Sequence, residues 1–499
     1  MSDLGFPPAP QHRPAPGFEP ESRVPIWAII LVVVLILTGG GFLARTLLDS
    51  SKHDGPTYPV AWDARILPYT KIAEKQRGLY FKHPVAVKFL PAAKFEKTVT
   101  SDEKDLSKDD RKEIDQTTGL LRAFGLIKGD VDLFKASNEF SGSGTLAYYS
   151  FEDEDITVRG QTVTPAMRST LVHELTHVLQ DQHFHIGDRQ AELAKSKSDA
   201  SEEEGTVLDA LIEGDAERVE TSYRASLPAR QRRALDSSKQ DSFDEADKTY
   251  KKIPKILVTM GTSPYTLGEA MVQTAAAKDG NSSVDALFRK TPRNETALLD
   301  PLRGLTGRDP AVKVDVPKLA DGEKKIDSGQ LGALTWYFML SERIPLKTAL
   351  AAVDGRGGDR YVSFERDDKV CVRAAYVGAS GADTTRMRSA LQQWVATAPG
   401  SPAKVSNDGD HVVLESCDPG TKADVGKDTS DQAMNLLATR AYLGASLVKR
   451  GVTRSKADCI SVAMAREFTL PQMNDPKFML DVPNVKPRLQ RIGIGCRSA

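Results

Sequence analysis

The chain has 499 residues and a formal net charge of −1, because its basic and acidic residues nearly balance. Without a basic excess it shows no electrostatic footprint for nucleic acid, and it contains no nucleotide-binding loop, no Ser-His-Asp signature and no internal repeat. A hydrophobic content of 40% is enough for a full core. At this length the chain is expected to form about two or three domains.

The N-terminal part of the sequence consists of a polar tail and an apolar run. Residues 1–22 are rich in proline and predict a disordered tail. Residues 23–45 hold an uncharged stretch between Arg23 and Arg45, long enough to span a bilayer core of about 30 Å. This stretch is too long for a signal peptide and lacks a good cleavage site. We therefore expect a single-pass protein of the cell membrane whose catalytic region lies outside the cytoplasm.

The elements that follow the anchor are predicted from hydrophobic periodicity. Residues 46–65 are polar and predict a linker. Beyond them the patterns indicate a strand at 84–90, a charged helix within 102–125 and a hairpin over 146–159. This hairpin stands directly before the stretch on which the functional prediction depends.

That stretch is a predicted helix with an HExxH motif, capped by Thr164 and with Pro165 at its first position. Residues four apart share a helix face, so His173 and His177 can bind one metal ion. Glu174 would then face a zinc-activated water as general base and acid. The alternative is two histidines on a solvated helix, but the apolar face of this helix favours burial.

A catalytic zinc needs a third protein ligand, and two residues compete for this role. Glu213 lies on a second predicted helix, and a carboxylate on an otherwise apolar face is costly unless a cation compensates it. His183 has the spacing of the metzincin motif, but that motif requires glycine where this chain has Gln180. On an unbroken helix His183 would lie about 240° from His177 and point away from the metal. We therefore prefer Glu213.

The motif and its surroundings resemble a known class of enzymes. The strings HELTHVLQDQHF and LIEGDA are similar to those of gluzincin metallopeptidases, including a group of bacterial secreted or membrane-anchored zinc metallopeptidases, over residues 80–361. The resemblance implies Zn²⁺ as cofactor and a peptide or protein as substrate. It also implies that His173, His177 and Glu213 are the ligands and that Glu174 is the catalytic base.

Three more residues are predicted near this site. Asp215 and Glu217 follow Glu213 on its helix and could orient a ligand histidine, although both could equally be ordinary surface acids. Tyr265, near the start of a helix predicted from Pro264, could donate a hydrogen bond to the developing oxyanion. The alternative for Tyr265 is a packed core tyrosine.

The last part of the sequence predicts a buried helix over 331–340, then strands at 369–377 and 411–416 around a helix at 383–396. The end of the chain, from residue 431, reads as helices. All four cysteines lie here, none with zinc-finger spacing, and an even number outside the cytoplasm predicts two disulfides. Their connectivity is open, although a Cys371–Cys417 bond and a Cys459–Cys496 bond would each close one local unit.

Together these features predict an α+β protein with a mainly helical zinc-metallopeptidase core and a small β-sheet. The expected division is a tail (1–22), a transmembrane anchor (23–45), a linker (46–65), a catalytic domain (66–360), a small α/β domain (361–425) and a helical, disulfide-tied C-terminal region (426–499). The predicted function is a membrane-anchored zinc metalloendopeptidase. The alternative is a catalytically inactive, membrane-tethered binding or scaffold protein of the cell envelope that retains the peptidase fold.

Overall fold

The computed structural model describes residues 58–196, 199–306, 312–398, 402–479 and 482–497. Within them the protein is α+β and mainly helical, as predicted, and it contains two small sheets. One apolar cluster of buried residues extends from Ile66 to Ala465 and connects both sheets with the long helices.

The first sheet lies among the helices that precede the predicted metal site. Its strand order is β1-β3-β2, with β1 parallel and β2 antiparallel to β3, so the predicted hairpin forms. A short 3-10 helix at Glu103–Asp105 precedes α3. The elements of this part are α1 (Leu67–Arg77), β1 (Ala86–Leu90), α2 (Ala92–Val99), α3 (Lys108–Ala123), α4 (Leu133–Gly144), β2 (Ala147–Ser150), β3 (Asp155–Arg159), α5 (Pro165–Phe184) and α6 (Ile186–Lys195).

Three long helices then follow: the first two pack on α5 and on each other, and the third packs on the first. They are α7 (Asp199–Ser226), α8 (Ala229–Tyr250) and α9 (Lys255–Asp279), followed by the shorter helices α10 (Asn281–Arg289), α11 (Thr296–Leu299) and α12 (Pro301–Gly304).

Helix α9 corrects the predicted helix start at Pro264, because this proline lies inside the helix. Proline has no backbone N–H, so the carbonyl of Met260 one turn earlier lacks its usual partner. The Ser263 hydroxyl donates to the Met260 carbonyl at 2.8 Å instead. This bond replaces the missing contact, and α9 continues through the proline.

The second sheet has the order β4-β5-β6-β8-β7, and all of its neighbouring strands are antiparallel. The predicted domain boundary after residue 360 falls inside β5. The elements here are β4 (Lys324–Gly329), α13 (Gly332–Ser341), α14 (Leu346–Val353), β5 (Arg356–Arg366), β6 (Lys369–Gly378), α15 (Gly381–Ala396), β7 (Ala403–Asp408) and β8 (His411–Cys417), then α16 (Ser430–Lys449), α17 (Arg454–Glu467), α18 (Leu470–Asn474), α19 (Pro476–Met479) and α20 (Val482–Gly495).

The prediction of two disulfides is confirmed. Cys371 and Cys417 stand opposite each other on β6 and β8 and are bonded. Cys459 on α17 is bonded to Cys496, which follows α20. Each bridge therefore closes one local unit, and the chain has no free cysteine.

The predicted location in the cell membrane is corrected. Among the described residues, no helix combines the length and the apolar character that crossing a bilayer requires. The predicted anchor, residues 23–45, lies outside the described residues, as does the predicted tail at 1–22. The structure therefore gives no support for a single-pass, extracytoplasmic enzyme.

Helices α7 and α9 cross in backbone contact, and this crossing sets the position of Glu213. A Cβ atom on Gly268 would lie 1.9 Å from the carbonyl oxygen of Ala210. A Cβ on Gly214 would lie 2.1 Å from the carbonyl carbon of Gly268. Because no side chain fits between the two backbones, both positions require glycine. Because Gly214 directly follows Glu213, this crossing also fixes the position of Glu213 relative to α5.

We expect Gly268→Ala to lower the free energy of unfolding by about 1–3 kcal/mol, the usual cost of forcing extra volume into a packed core. The matched control is Gly205→Ala on α7, where a Cβ would meet nothing within 4 Å. Alanine should stabilise the helix there by up to about 1 kcal/mol. Urea denaturation of the two variants and the parent tests this, and a Gly268→Ala variant as stable as the parent would contradict so close a crossing.

Candidate metal centre

Helix α5 begins where the sequence predicts and carries the HExxH motif in its middle. The Thr164 hydroxyl accepts a hydrogen bond from the Met167 backbone N–H at 3.2 Å, and Pro165 occupies the first helical position. Almost the whole helix is buried, so His173 and His177 are 1% and 2% exposed and Glu174 is 0% exposed. The alternative of a solvated helix does not fit this burial.

The structure brings His173, His177 and Glu213 together. The Oε2 atom of Glu213 lies 3.2 Å from Nε2 of His173 and 3.5 Å from Nε2 of His177. The two imidazole rings are nearly perpendicular, with centroids 4.7 Å apart. One ligand atom from each of the three residues lies within 4.8 Å of the others. Two imidazole nitrogens and one carboxylate oxygen form a donor set that Zn²⁺ takes in catalytic sites.

The electrostatics of the cluster favour a cation. Burial alone would raise the pKa of Glu213, but His177 and His173 outweigh it and lower this pKa to about 2. Burial alone would lower the pKa of His173, but hydrogen bonds to Glu213 and Glu220 raise it well above the ordinary value. The carboxylates therefore favour positive charge on the His173 imidazole, and they would attract a divalent cation in the same way.

His183, the competing third ligand, does not join the cluster. Its Nε2 atom lies 2.8 Å from the backbone carbonyl oxygen of Tyr80. On the continuous helix α5, its side chain leaves a different face from those of His173 and His177.

Tyr265 lies beside the cluster on α9 and is 3% exposed. Its ring is nearly parallel to that of His173, with the centroids 6.1 Å apart. This placement is compatible with packing and with a role near the metal, so its hydrogen bond to an oxyanion stays a prediction.

Asp215 and Glu217 are buried, at 0% and 5% exposed. Burial, together with the charge of Glu220, raises the pKa of Glu217 to about 7. Asp215 instead accepts hydrogen bonds from Arg77 at 2.6 Å and Arg218 at 3.0 Å.

Sequence reasoning missed Glu220, which supports His173. The Oε2 atom of Glu220 lies 3.5 Å from Nδ1 of His173, on the opposite side of the ring from Glu213. The Ser169 hydroxyl donates to Oε1 of Glu220 at 2.7 Å, and the ammonium of Lys239 is paired with the same oxygen. The signal was present, because residues seven apart share a helix face and Glu220 is therefore aligned with Glu213.

His173, Glu217 and Glu220 also have ligand atoms within 4.8 Å of one another. A metal ion here would have to compete with the ammonium of Lys239, which already neutralises Glu220. We therefore assign Glu220 to the orientation of His173, as carboxylates commonly orient metal-binding histidines.

Gln180 is a second supporting residue that sequence reasoning missed. Its Oε1 atom lies 3.0 Å from Nδ1 of His177. Its Nε2 atom donates to the carbonyl oxygen of Ile212 at 3.0 Å and to Asp215 at 3.2 Å. Asp215 is in turn bound by Arg77, a fully buried side chain of α1 that also donates to Asp285 at 2.6 Å. From the sequence alone, Gln180 indicates only that the metzincin motif is incomplete.

No family model, no curated protein and no solved structure matches the chain. A functional assignment therefore depends on the residues of this site and on the resemblance of its motifs.

We expect Lys239→Met to lower the free energy of unfolding by about 1–3 kcal/mol, because it leaves the buried Glu220 carboxylate without its charged partner. Lys251→Met is the matched control at the C-cap of the same helix, since Lys251 is 73% exposed and pairs with Asp247 at the surface. The control should change stability by less than about 0.5 kcal/mol. Chemical denaturation distinguishes the two, and equal stabilities would show that Lys239 does not support Glu220.

Proposed function

We propose that the protein is a zinc-dependent metallopeptidase that hydrolyses peptide bonds. One observation carries the proposal: the imidazoles of His173 and His177 on α5 and the carboxylate of Glu213 on α7 have ligand atoms within 4.8 Å of one another. Glu174 directly follows His173 in the chain. The resemblance of HELTHVLQDQHF and LIEGDA to gluzincin sequences supports a peptide bond as the scissile group.

Each side chain of the cluster has a distinct role in this proposal. His173, His177 and Glu213 would hold Zn²⁺, which when bound supplies a Lewis acid and lowers the pKa of a water to about 7. Glu174 takes a proton from the attacking water and passes it to the leaving amine. Tyr265 is the nearby side chain that can stabilise negative charge on the substrate oxygen.

The burial of the site supports this chemistry. His173, Glu174 and His177 are at most 2% exposed, and the side chain of Glu213 is 17% exposed. Charge interactions are stronger in such a low-dielectric setting than in water. A proton held on Glu174 is also separated from bulk solvent, so it can be passed to the leaving amine.

The metal ligands are tested by elemental analysis of the purified full-length chain. We expect about one zinc ion per chain in the parent and in His183→Ala, and a large loss of zinc in Glu213→Ala. The His183 variant is the matched control, because its ring bonds a backbone carbonyl away from the cluster. Loss of zinc only in His183→Ala would overturn the ligand set, and a folded parent without zinc would overturn the proposed function.

The catalytic base is tested with Glu174→Gln. General acid–base catalysis contributes about 10²–10⁴-fold, so we expect a loss of this size in cleavage of fluorescently labelled casein, with the zinc content unchanged. The variant preserves the size of the side chain, which separates chemistry from packing. A zinc-loaded parent as inactive as Glu174→Gln would favour the binding or scaffold alternative.

A further inference from the structure

Gln180 fixes which nitrogen of His177 carries the proton, and the hydrogen-bonding groups around its amide show why. The side chain is 0% exposed and lies between His177 on its own helix and residues of α7. Its Nε2 atom faces the Ile212 carbonyl oxygen at 3.0 Å and an oxygen of Asp215 at 3.2 Å. A carbonyl only accepts hydrogen bonds, so the –NH₂ end of the amide must face α7.

Asp215 requires the same orientation of the Gln180 amide, because its carboxylate accepts hydrogen bonds from the groups around it. The guanidinium groups of Arg77 and Arg218 approach it at 2.6 and 3.0 Å. Guanidinium groups have no acceptor, so Asp215 must accept from both of them and from Gln180. Exchanging the two ends of the Gln180 amide would place its oxygen against two acceptors.

The Oε1 end of Gln180 therefore faces His177, at 3.0 Å from Nδ1. Since this oxygen can only accept, Nδ1 of His177 must carry the hydrogen. In the neutral ring the lone pair is then on Nε2, the atom that lies 3.5 Å from Glu213 within the ligand cluster. Metal-binding histidines generally need such a partner on the second nitrogen, which sets both the tautomer and the ring orientation.

We propose that Gln180 is a positioning residue, which holds His177 in the Nδ1–H tautomer and directs Nε2 to the metal, with Asp215 and Arg77 fixing its amide. This inference rests on the proposed function, since it deepens the account of the zinc site. It gives the two ligand histidines different supports: a charged carboxylate at His173 and a neutral amide at His177.

The first test measures zinc affinity by competition with a chelator, without substrate. In the full-length Gln180→Met variant we expect the zinc dissociation constant to rise about 10–100-fold, because the ring loses the partner that orients it. Thermal denaturation and circular dichroism establish that the variant is folded.

Gln182→Met is the matched control. Gln182 lies one position beyond Asp181 on α5, is 7% exposed, and bonds the backbone of Lys82 at 2.7 Å and of His83 at 2.9 Å. The Gln182→Met variant therefore loses buried hydrogen bonds, as Gln180→Met does, but the altered residue contacts none of the three proposed zinc ligands. Its zinc affinity should equal that of the parent. An equal loss of affinity in both variants would mean that the effect is structural and would overturn the proposal.

The second test measures the tautomer of His177 directly, in a protein with the native Gln180. In the metal-free parent, ¹⁵N–¹H correlation spectra of the imidazoles should show His177 as the Nδ1–H tautomer, assigned by the loss of its signal in His177→Gln. An Nε2–H tautomer would refute the inference even if Gln180→Met did not fold. Failure of the proposed function looks different, because the parent itself would then bind no zinc. Zinc binding that is equal in parent and Gln180→Met would refute only the role of Gln180.

Discussion

The interface between α5 and α7 contains buried ionisable side chains. A buried charge is tolerated only when an opposite charge or a hydrogen bond compensates it. His173, Glu174 and His177 enter this interface from α5, while Glu213, Asp215, Glu217 and Glu220 enter from α7. The surrounding helices meet this requirement: α1 supplies Arg77, and α8 supplies Lys239. Ion pairs thereby connect helices distant in the sequence to the site. The close contact of α7 with α9 fixes the position of the acidic residues relative to α5.

Much of this arrangement could be predicted because the signals were local. The cap at Thr164, the periodic apolar face of α5 and the spacing of His173 and His177 depend only on helix geometry. Glu213 was predicted for an energetic reason, since an acid on an apolar helix face needs a compensating cation. The hairpin and the helices around Trp336 and Trp394 also follow from periodicity, and both tryptophans are fully buried.

The rest depended on contacts that one sequence does not show. Lys239 stands in a charged stretch of the sequence, and only the fold reveals that it reaches Glu220. Arg77 and Asp215 are 138 residues apart, so no local pattern connects them. Proline ordinarily ends a helix, and the rule failed at Pro264 because the hydroxyl of Ser263 replaces the missing donor. The boundary set at residue 360 followed the change to alternating strand and helix patterns, which did not show that β5 already begins at Arg356.

The pairing of Arg77 also has a consequence for the order in which the molecule assembles. Its two partners, Asp215 and Asp285, come 138 and 208 residues later in the chain. During synthesis α1 therefore emerges with a cation that has no counter-ion until α7 has been made, and its second partner follows only with α10. Burying that guanidinium earlier would cost several kcal/mol. The layer of charged residues beneath the candidate metal ligands is thus completed late in translation. A nascent chain that ends before α10 lacks Asp285, one of the two partners that hold Arg77 beneath the histidines.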